Sequence, residues 1–280
     1  MSTELSPSST PSRAQRALAV TGALALVVGV VATYIVLQPA PVVIPYPVGD
    51  NATVALPGTN PTTTESFVGL PGYHQSAAVT FPGSTLPTGW TAFSGPIHGD
   101  AGAYYDPRFV SVANGLLTIK TDRSVRNHEG WASGGLCQCG VQHTSGAYFV
   151  RSQTIGSGPE DIAMLWPTND KWPPEIEFLQ SDTGSTSRAN LYWSAKHHVV
   201  TFSLAKVNQQ DWHTWGVVWT KSKVTFVLDG HAWAQVTDAK AIPTQPLRLD
   251  LEQQTYCGLH FACPTAPVHT NVAWVAEYQQ

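Results

Sequence analysis

The sequence predicts an all-β fold, a single sandwich of two antiparallel sheets, preceded by one apolar segment that crosses a membrane. Three observations predict it. From about Ala77 onward, short alternating or β-rich runs recur between turn signals, and no long stretch has the 3.6-residue period of an amphipathic helix. Charged residues make up only 12% of the chain, against about 25% in an ordinary soluble domain; Gly, Pro, Ser, Thr and aromatics fill the gap, a composition of short strands and many turns. Roughly 200 residues of this pattern suit one two-sheet domain.

Taken in order, residues 1–16 are polar and carry Arg13 and Arg16. Ala17 to Leu37 carries no charge, and about 21 residues span a ~30 Å hydrocarbon core as a helix. No Lys or Arg follows before Arg108, so the positive-inside rule leaves residues 1–16 in the cytoplasm and everything after Leu37 outside. The alternative is a cleaved signal peptide, whose apolar region is usually about 7–15 residues long and ends at a small-residue site. This run is longer and exits into Tyr-Ile-Val-Leu-Gln-Pro. Residues 38–76 are rich in Pro, Gly and Thr and read as an extended, semi-rigid tether. Residues 77–280 form the body.

Within the body, strands are expected at Phe109–Val112, Leu116–Lys120, Ala147–Arg151, Glu175–Leu179, Val199–Leu204, Thr214–Trp219 and Lys223–Leu228. Asn114-Gly115 and Asp229-Gly230 between them carry the turn chemistry of antiparallel hairpins. Four cysteines fall in two close pairs, Cys137 with Cys139 and Cys257 with Cys263. Outside the cell they suggest disulfides, with three connectivities open. Cys257–Cys263, closing a short loop, is the expected bridge. Cys137 and Cys139 would sit about 6.6 Å apart in an extended strand, so joining them directly needs a kinked turn. Neither pair has zinc spacing.

A net charge of −4 gives no basic face for nucleic acid. Nucleotide-binding, serine-hydrolase and metallopeptidase motifs are absent, and His197-His198 shows no metal spacing. The densest chemical signal is Ala163–Gln180, AMLWPTNDKWPPEIEFLQ. Glu175 and Glu177 alternate with Ile176 and Phe178, so a strand puts both acids on one face and the apolar pair on the other. Trp166 and Trp172 flank that strand as candidate aromatic platforms for a ligand. Ten Trp residues are more than one core readily absorbs. Trp131 lies in a Gly-rich stretch that reads as a cleft rim. Tyr192 and Trp193 alternate, so one at most reaches the acids. Trp215, Trp219 and His213 read as core.

Several segments, in order over most of residues 78–280, resemble glycoside hydrolase family 16, the laminarinase, lichenase and agarase group. They are Leu86-Pro-Thr-Gly-Trp90, Asn114-Gly-Leu-Leu-Thr-Ile119, Ser145-Gly-Ala-Tyr-Phe-Val-Arg151, Leu165-Trp-Pro167, Trp172-Pro-Pro-Glu-Ile176, Asp211-Trp-His-Thr-Trp-Gly-Val-Val-Trp-Thr220 and Phe226-Val-Leu-Asp-Gly230. The resemblance implies a β-jelly-roll with a concave cleft, a β-linked polysaccharide ligand of the β-glucan type, and no cofactor. Structural calcium occurs in relatives, but no Asp-rich loop here indicates it.

The family pattern E-x-D-x-x-E supplies nucleophile, helper and general acid/base. On this chain it falls on Glu175, Glu177 and Gln180. A β-bulge after the helper is expected to turn the third side chain onto the cleft face. The helper is one methylene longer than in the pattern, and the acid/base has become an amide that cannot transfer a proton. Tyr192 stands where many relatives have His. Arg151 is expected to hydrogen-bond near the nucleophile or to serve as a structural ion pair. Three readings follow: a weakened retaining glycosidase in which Glu177 or Glu252 supplies the missing acid, a lectin-like binder without turnover, or a structural domain without ligand.

Overall fold

The computed structural model describes residues 42–45, 72–98, 100, 102–123, 130–181, 186–194, 196, 198–205, 207–257 and 263–280. The expected membrane segment, residues 17–37, and the tail before it lie outside the described residues. Among the described residues no helix is long and apolar enough to cross a membrane.

The described residues form two sheets. The first has eight strands, in spatial order β1 (Val42–Pro45), β14 (His198–Ala205), β13 (Thr186–Trp193), β12 (Glu175–Ser181), β11 (Glu160–Pro167), β18 (Leu247–Gln254), β9 (Gly135–Cys137) and β3 (Thr91–Ala92). The second has eleven. Nine run in the order β17 (His231–Val236), β16 (Val224–Leu228), β15 (His213–Trp219), β10 (Gly146–Ile155), β19 (Val268–Gln279), β7 (Leu116–Arg123), β8 (Trp131–Ser133), β5 (Tyr104–Tyr105) and β4 (Gly95–Pro96). β2 (His74–Thr80) pairs with β19, and β6 (Val110–Ala113) pairs with β7.

The hairpin turns are where the sequence places them. Ala113 pairs with Leu116 across Asn114 (φ 53°) and Gly115 (φ 75°). Leu228 pairs with His231 across Asp229 (φ 48°) and Gly230 (φ 80°). Two successive positive φ values match the right-handed twist of the flanking strands, and Asn-Gly and Asp-Gly tolerate them best.

Period-2 alternation builds the core. Ala163 and Leu165 of β11, Ile176 and Phe178 of β12, Ala189 and Leu191 of β13 and Leu249 and Leu251 of β18 meet Tyr148, Val150, Trp215, Val217 and Trp219 of the second sheet. Trp215 and Trp219 are fully buried, as their shared face predicts. Each such side chain contributes about 1.5–3 kcal/mol by leaving water.

Two parts of the stretch read as tether are strands instead. β1, built on the apolar run Val42-Val43-Ile44, pairs in parallel with β14 and forms the sheet edge, and β2 begins at His74 rather than at Ala77. Cys257 and Cys263 are joined, their Cα atoms 4.6 Å apart. Cys137 and Cys139 are also joined, at 5.0 Å, which is shorter than the roughly 6.6 Å of an extended strand and so reflects a kink.

Candidate active site

The outer face of the first sheet, away from the core, gathers the acids. In β12, Glu175 pairs with Tyr192 and Glu177 with Asn190, so all four share that face. Strict alternation would then turn Gln180 inward. It does not, because the register shifts between Glu177 and Gln180 on the β13 side and beside Ala163/Met164 on the β11 side. One extra residue is accommodated: Phe178 and Leu179 both point into the core, 0% and 1% exposed. Gln180 returns to the acid face, opposite Arg188 and Ile162. This is the expected bulge.

Neighbouring strands extend the face. Pairing of β11 with β18 aligns Trp166 with Arg248, Met164 with Asp250, Ile162 with Glu252 and Glu160 with Gln254. Five carboxyl groups, Glu160, Glu175, Glu177, Asp250 and Glu252, therefore lie on adjoining strands, and each residue is at most 6% exposed. Trp166, Trp172 and Tyr192 are half-buried around them. The Trp172 indole N–H donates to Glu175 at 2.6 Å, and the Trp172 and Tyr192 rings lie 5.7 Å apart. Trp193, on the other face of β13, packs against the core.

Crowded, buried carboxyls hold protons more tightly. Burial, then the adjacent Glu175 carboxylate, raises Glu177 well above the usual carboxylate range, so the proton of the pair sits on Glu177 and is donated to Glu175. Glu175 is also raised, chiefly by burial, while Glu177 and Trp172 donate to it and oppose the rise. Asn190 Nδ2 donates to Glu177 and, at 2.7 Å, to Gln180 Oε1. Gln180 Nε2 in turn donates to Glu160 Oε2 at 3.2 Å. Burial pushes Glu252 up to about 7, although Tyr105 and Gln254 donate to it. It pushes Asp250 up to about 8, opposed by Arg248, whose Nε donates at 3.0 Å. Burial and the same carboxylates also raise the Tyr192 and Tyr256 hydroxyls.

One residue expected either near the nucleophile or in a structural ion pair lies away from this face. Arg151 belongs to the second sheet, fully buried, with Nη1 3.9 Å from Asp229 and its guanidinium 6.0 Å from the Trp212 ring centre. Val150 faces the core, so alternation sends Arg151 to the opposite face, beside the cluster of Phe149 and Trp274. It is the structural ion pair of the two expected roles. Trp131 lies on β8, also in the second sheet, under the Arg123 guanidinium at 5.1 Å.

Residue-by-residue reading missed Glu160, Asp250, Asn190 and Tyr105. The alternation Arg248-x-Asp250-x-Glu252-x-Gln254 on a leucine-backed strand could have revealed Asp250, and Arg188-x-Asn190-x-Tyr192 could have revealed Asn190. Nothing local marks Tyr105, which reaches Glu252 through the parallel pairing of β5 with β8. Among the described residues no group of three or more His, Cys, Asp or Glu could hold a metal ion.

The fold is thus a two-sheet sandwich with coupled carboxyls and indoles on one outer face. The chain belongs to the glycosyl hydrolases family 16, whose model matches residues 104–258. Similar solved structures include a non-specific endo-β-1,3(4)-glucanase of the same family, 20% identical, with TM-score 0.68 over 86% of this chain and 98% of that one. The endo-β-1,3-glucanase of Pyrococcus furiosus is 20% identical, with TM-score 0.64 over 74% and 94%. The laminarinase of Flavobacterium sp. UMI-01 is also 20% identical, with TM-score 0.63 over 74% and 100%. At these identities the likeness is one of fold. No curated protein matches the chain.

Proposed function

We propose that this chain is an exported, membrane-anchored glycoside hydrolase that cleaves β-linked glucan with retention of configuration. The observation that carries the reading is the hydrogen-bonded pair Glu175–Glu177, beneath the Trp172 indole N–H and brought together with position 180 by the bulge. A retaining glycosidase needs one ionised carboxylate to attack the anomeric carbon and a second carboxyl to protonate the leaving oxygen, about 5–5.5 Å away. Glu175 is the nucleophile. Glu177, the helper, keeps its proton and supports Glu175 by donating to it. Trp172, Tyr192 and Trp166 offer faces for sugar rings. Position 180, an amide, lowers the rate. The family's β-glucan enzymes support the substrate class, and residues 17–37 supply the anchor that leaves the domain outside the cytoplasm.

The test uses the full-length chain in detergent, with laminarin and mixed-linkage glucan, and follows reducing ends and the anomer first formed. Release of β-anomer that drops about 10⁴-fold or more in Glu175→Gln is expected for loss of a reacting group. Release of α-anomer, or an unchanged rate in that variant, refutes the assignment. A lectin-like reading is favoured by the amide at 180, which can bond a sugar hydroxyl but cannot move a proton; it predicts laminarin binding by calorimetry with no reducing ends released.

A further inference from the structure

Around position 180 the acid face offers hydrogen-bond donors where the family pattern places a transferable proton. Gln180 is half-buried there, and both ends of its amide are held: Oε1 accepts from Asn190 Nδ2 at 2.7 Å, and Nε2 donates to Glu160 Oε2 at 3.2 Å. An amide nitrogen has two N–H groups to share, and neither proton can be given up. We infer that the site favours β-glucosides whose leaving group departs as a stable anion, a phenolate above all, and that it cleaves internal glucan bonds far more slowly. This names the substrate class of the hydrolase reading above and rests on it.

The register leaves the other carboxyls poorly placed to stand in. Glu177 is bonded to the nucleophile itself and to Asn190. Glu252 shares a row with Gln180 across Ile162, and Asp250 shares one with Glu177 across Met164, so both are two strands from β12; that is about 9.6 Å of sheet. Glu160 lies beyond Gln180, on the side away from Glu175, because Asp161 already pairs with Ser181. A sugar alkoxide is too basic to leave without a proton, which is why a retaining glycosidase sets a carboxyl beside it. A phenolate leaves unprotonated, and hydrogen-bond donors suffice to steady its charge. Besides Gln180 Nε2, those donors are phenols. Burial and then the Glu177, Glu175 and Glu160 carboxylates raise the Tyr192 hydroxyl, and burial with Glu160, Glu252 and Glu177 raises that of Tyr256, so both keep their O–H. The Trp172 and Tyr192 rings, 5.7 Å apart, give an aryl group an aromatic flank.

The first step balances without a proton. Glu175 bonds to the anomeric carbon, the bond from that carbon to the aryl oxygen breaks, and its electron pair leaves with the phenolate. Water then attacks the same carbon, Glu175 departs as carboxylate, and the water proton passes to solvent. With an amide at 180 this second step is slow. An acceptor that is already an anion, such as azide, has no proton to lose.

The experiment uses the full-length chain in detergent and follows first-turnover release from 2,4-dinitrophenyl, 4-nitrophenyl and phenyl β-laminaribiosides, with laminarin alongside. The wild type is expected to release phenol about 10²–10⁴-fold more slowly than 2,4-dinitrophenol, the range a general acid normally supplies, with 4-nitrophenol between. Azide should speed steady turnover and appear as the β-glycosyl azide. Gln180→Glu, which supplies a proton, should narrow the spread by gaining chiefly on the phenyl glycoside and on laminarin. If that variant loses its native circular dichroism, the wild-type series decides alone. Equal release across the wild-type series means that another group protonates the leaving oxygen; it overturns the inference while the hydrolase reading stands. A folded Gln180→Glu variant with an unchanged spread overturns it too. A wild-type chain that releases neither dinitrophenol nor reducing ends sinks the hydrolase reading and this inference with it.

Discussion

Each sheet carries a cluster of buried charge, and the two clusters handle it in opposite ways. On the second sheet, Asp229 faces Arg151 at 3.9 Å, bonds His213 Nδ1 at 2.7 Å and accepts the Thr214 backbone N–H at 2.8 Å. Acid and base face each other there, and the Trp212 ring covers the guanidinium. On the first sheet five carboxyls share one face, and among the described residues Arg248 is an ion-pair partner of Asp250. Burial raises Glu175, Glu177, Asp250 and Glu252, so these acids keep their protons to higher pH. A matched cluster strengthens the fold; a mismatched one costs stability and supplies groups that can act as acids and bases.

The largest expected effect tests the matched cluster. Arg151→Ala leaves Asp229 buried without its guanidinium and should lower unfolding free energy by about 3–5 kcal/mol, measured by urea titration. Turnover per folded molecule should stay unchanged. A drop in turnover at full folding would restore Arg151 to the site and erase the contrast between the clusters.

Next in size is a mismatched acid with no catalytic part. Glu277 of β19 is buried beside Gln138, His143 and Tyr148, and burial pushes it up to about 7, with Gln138 opposing. His143, 3.7 Å away, is itself lowered by burial and so is uncharged at neutral pH. Because the folded value exceeds the ordinary 4.5, this group's contribution is full below about pH 4.5 and is lost as pH rises through 7. Glu277→Gln should therefore flatten the fall in stability across that window. At pH 8 it should raise stability by on the order of 2 kcal/mol. Unfolding midpoints at pH 5 and pH 8 check this, and an unchanged pH slope would refute it.

A third test is Gly135→Ala. A Cβ there would lie 2.7 Å from Phe93 and 2.8 Å from Tyr105, the ring that holds Glu252. Overpacking of this kind costs about 1–3 kcal/mol, and the pH–rate profile should shift as Tyr105 loses its place. The smallest effect expected is from Trp172→Phe. It keeps a ring for sugar contact but removes the donor to Glu175, and should lower kcat several-fold with little change in KM. A KM change alone would make the indole a sugar platform and nothing more.

Much of the fold was legible because it rests on local chemistry. Asn114-Gly115 and Asp229-Gly230 announce two hairpins, and the alternation of Glu175 to Phe178 announces which face is wet. The bulge is less legible. Phe178 and Leu179 break the alternation, and a lone pair of adjacent apolar residues does not say which way the following side chain turns; the family pattern located it. Arg151 kept two roles open, near the nucleophile or in an ion pair, because sequence order along a motif says nothing about which sheet a strand joins. Glu160, Asn190 and Tyr105 were overlooked because their proximity to Gln180, Glu177 and Glu252 arises only from strand order. Val42–Pro45 looked like tether because Pro-rich flanks hid a strand that completes a sheet edge.

The two inward-pointing residues at Phe178 and Leu179 have a further effect on how such a chain can change over time. They uncouple the side chain at 180 from interior packing, so exchanging oxygen for nitrogen there leaves the hydrophobic interior intact. A lineage can thus lose its proton donor at 180 by a single substitution without disturbing the interior, and domains with the same architecture can drift from cleaving sugars to merely holding them.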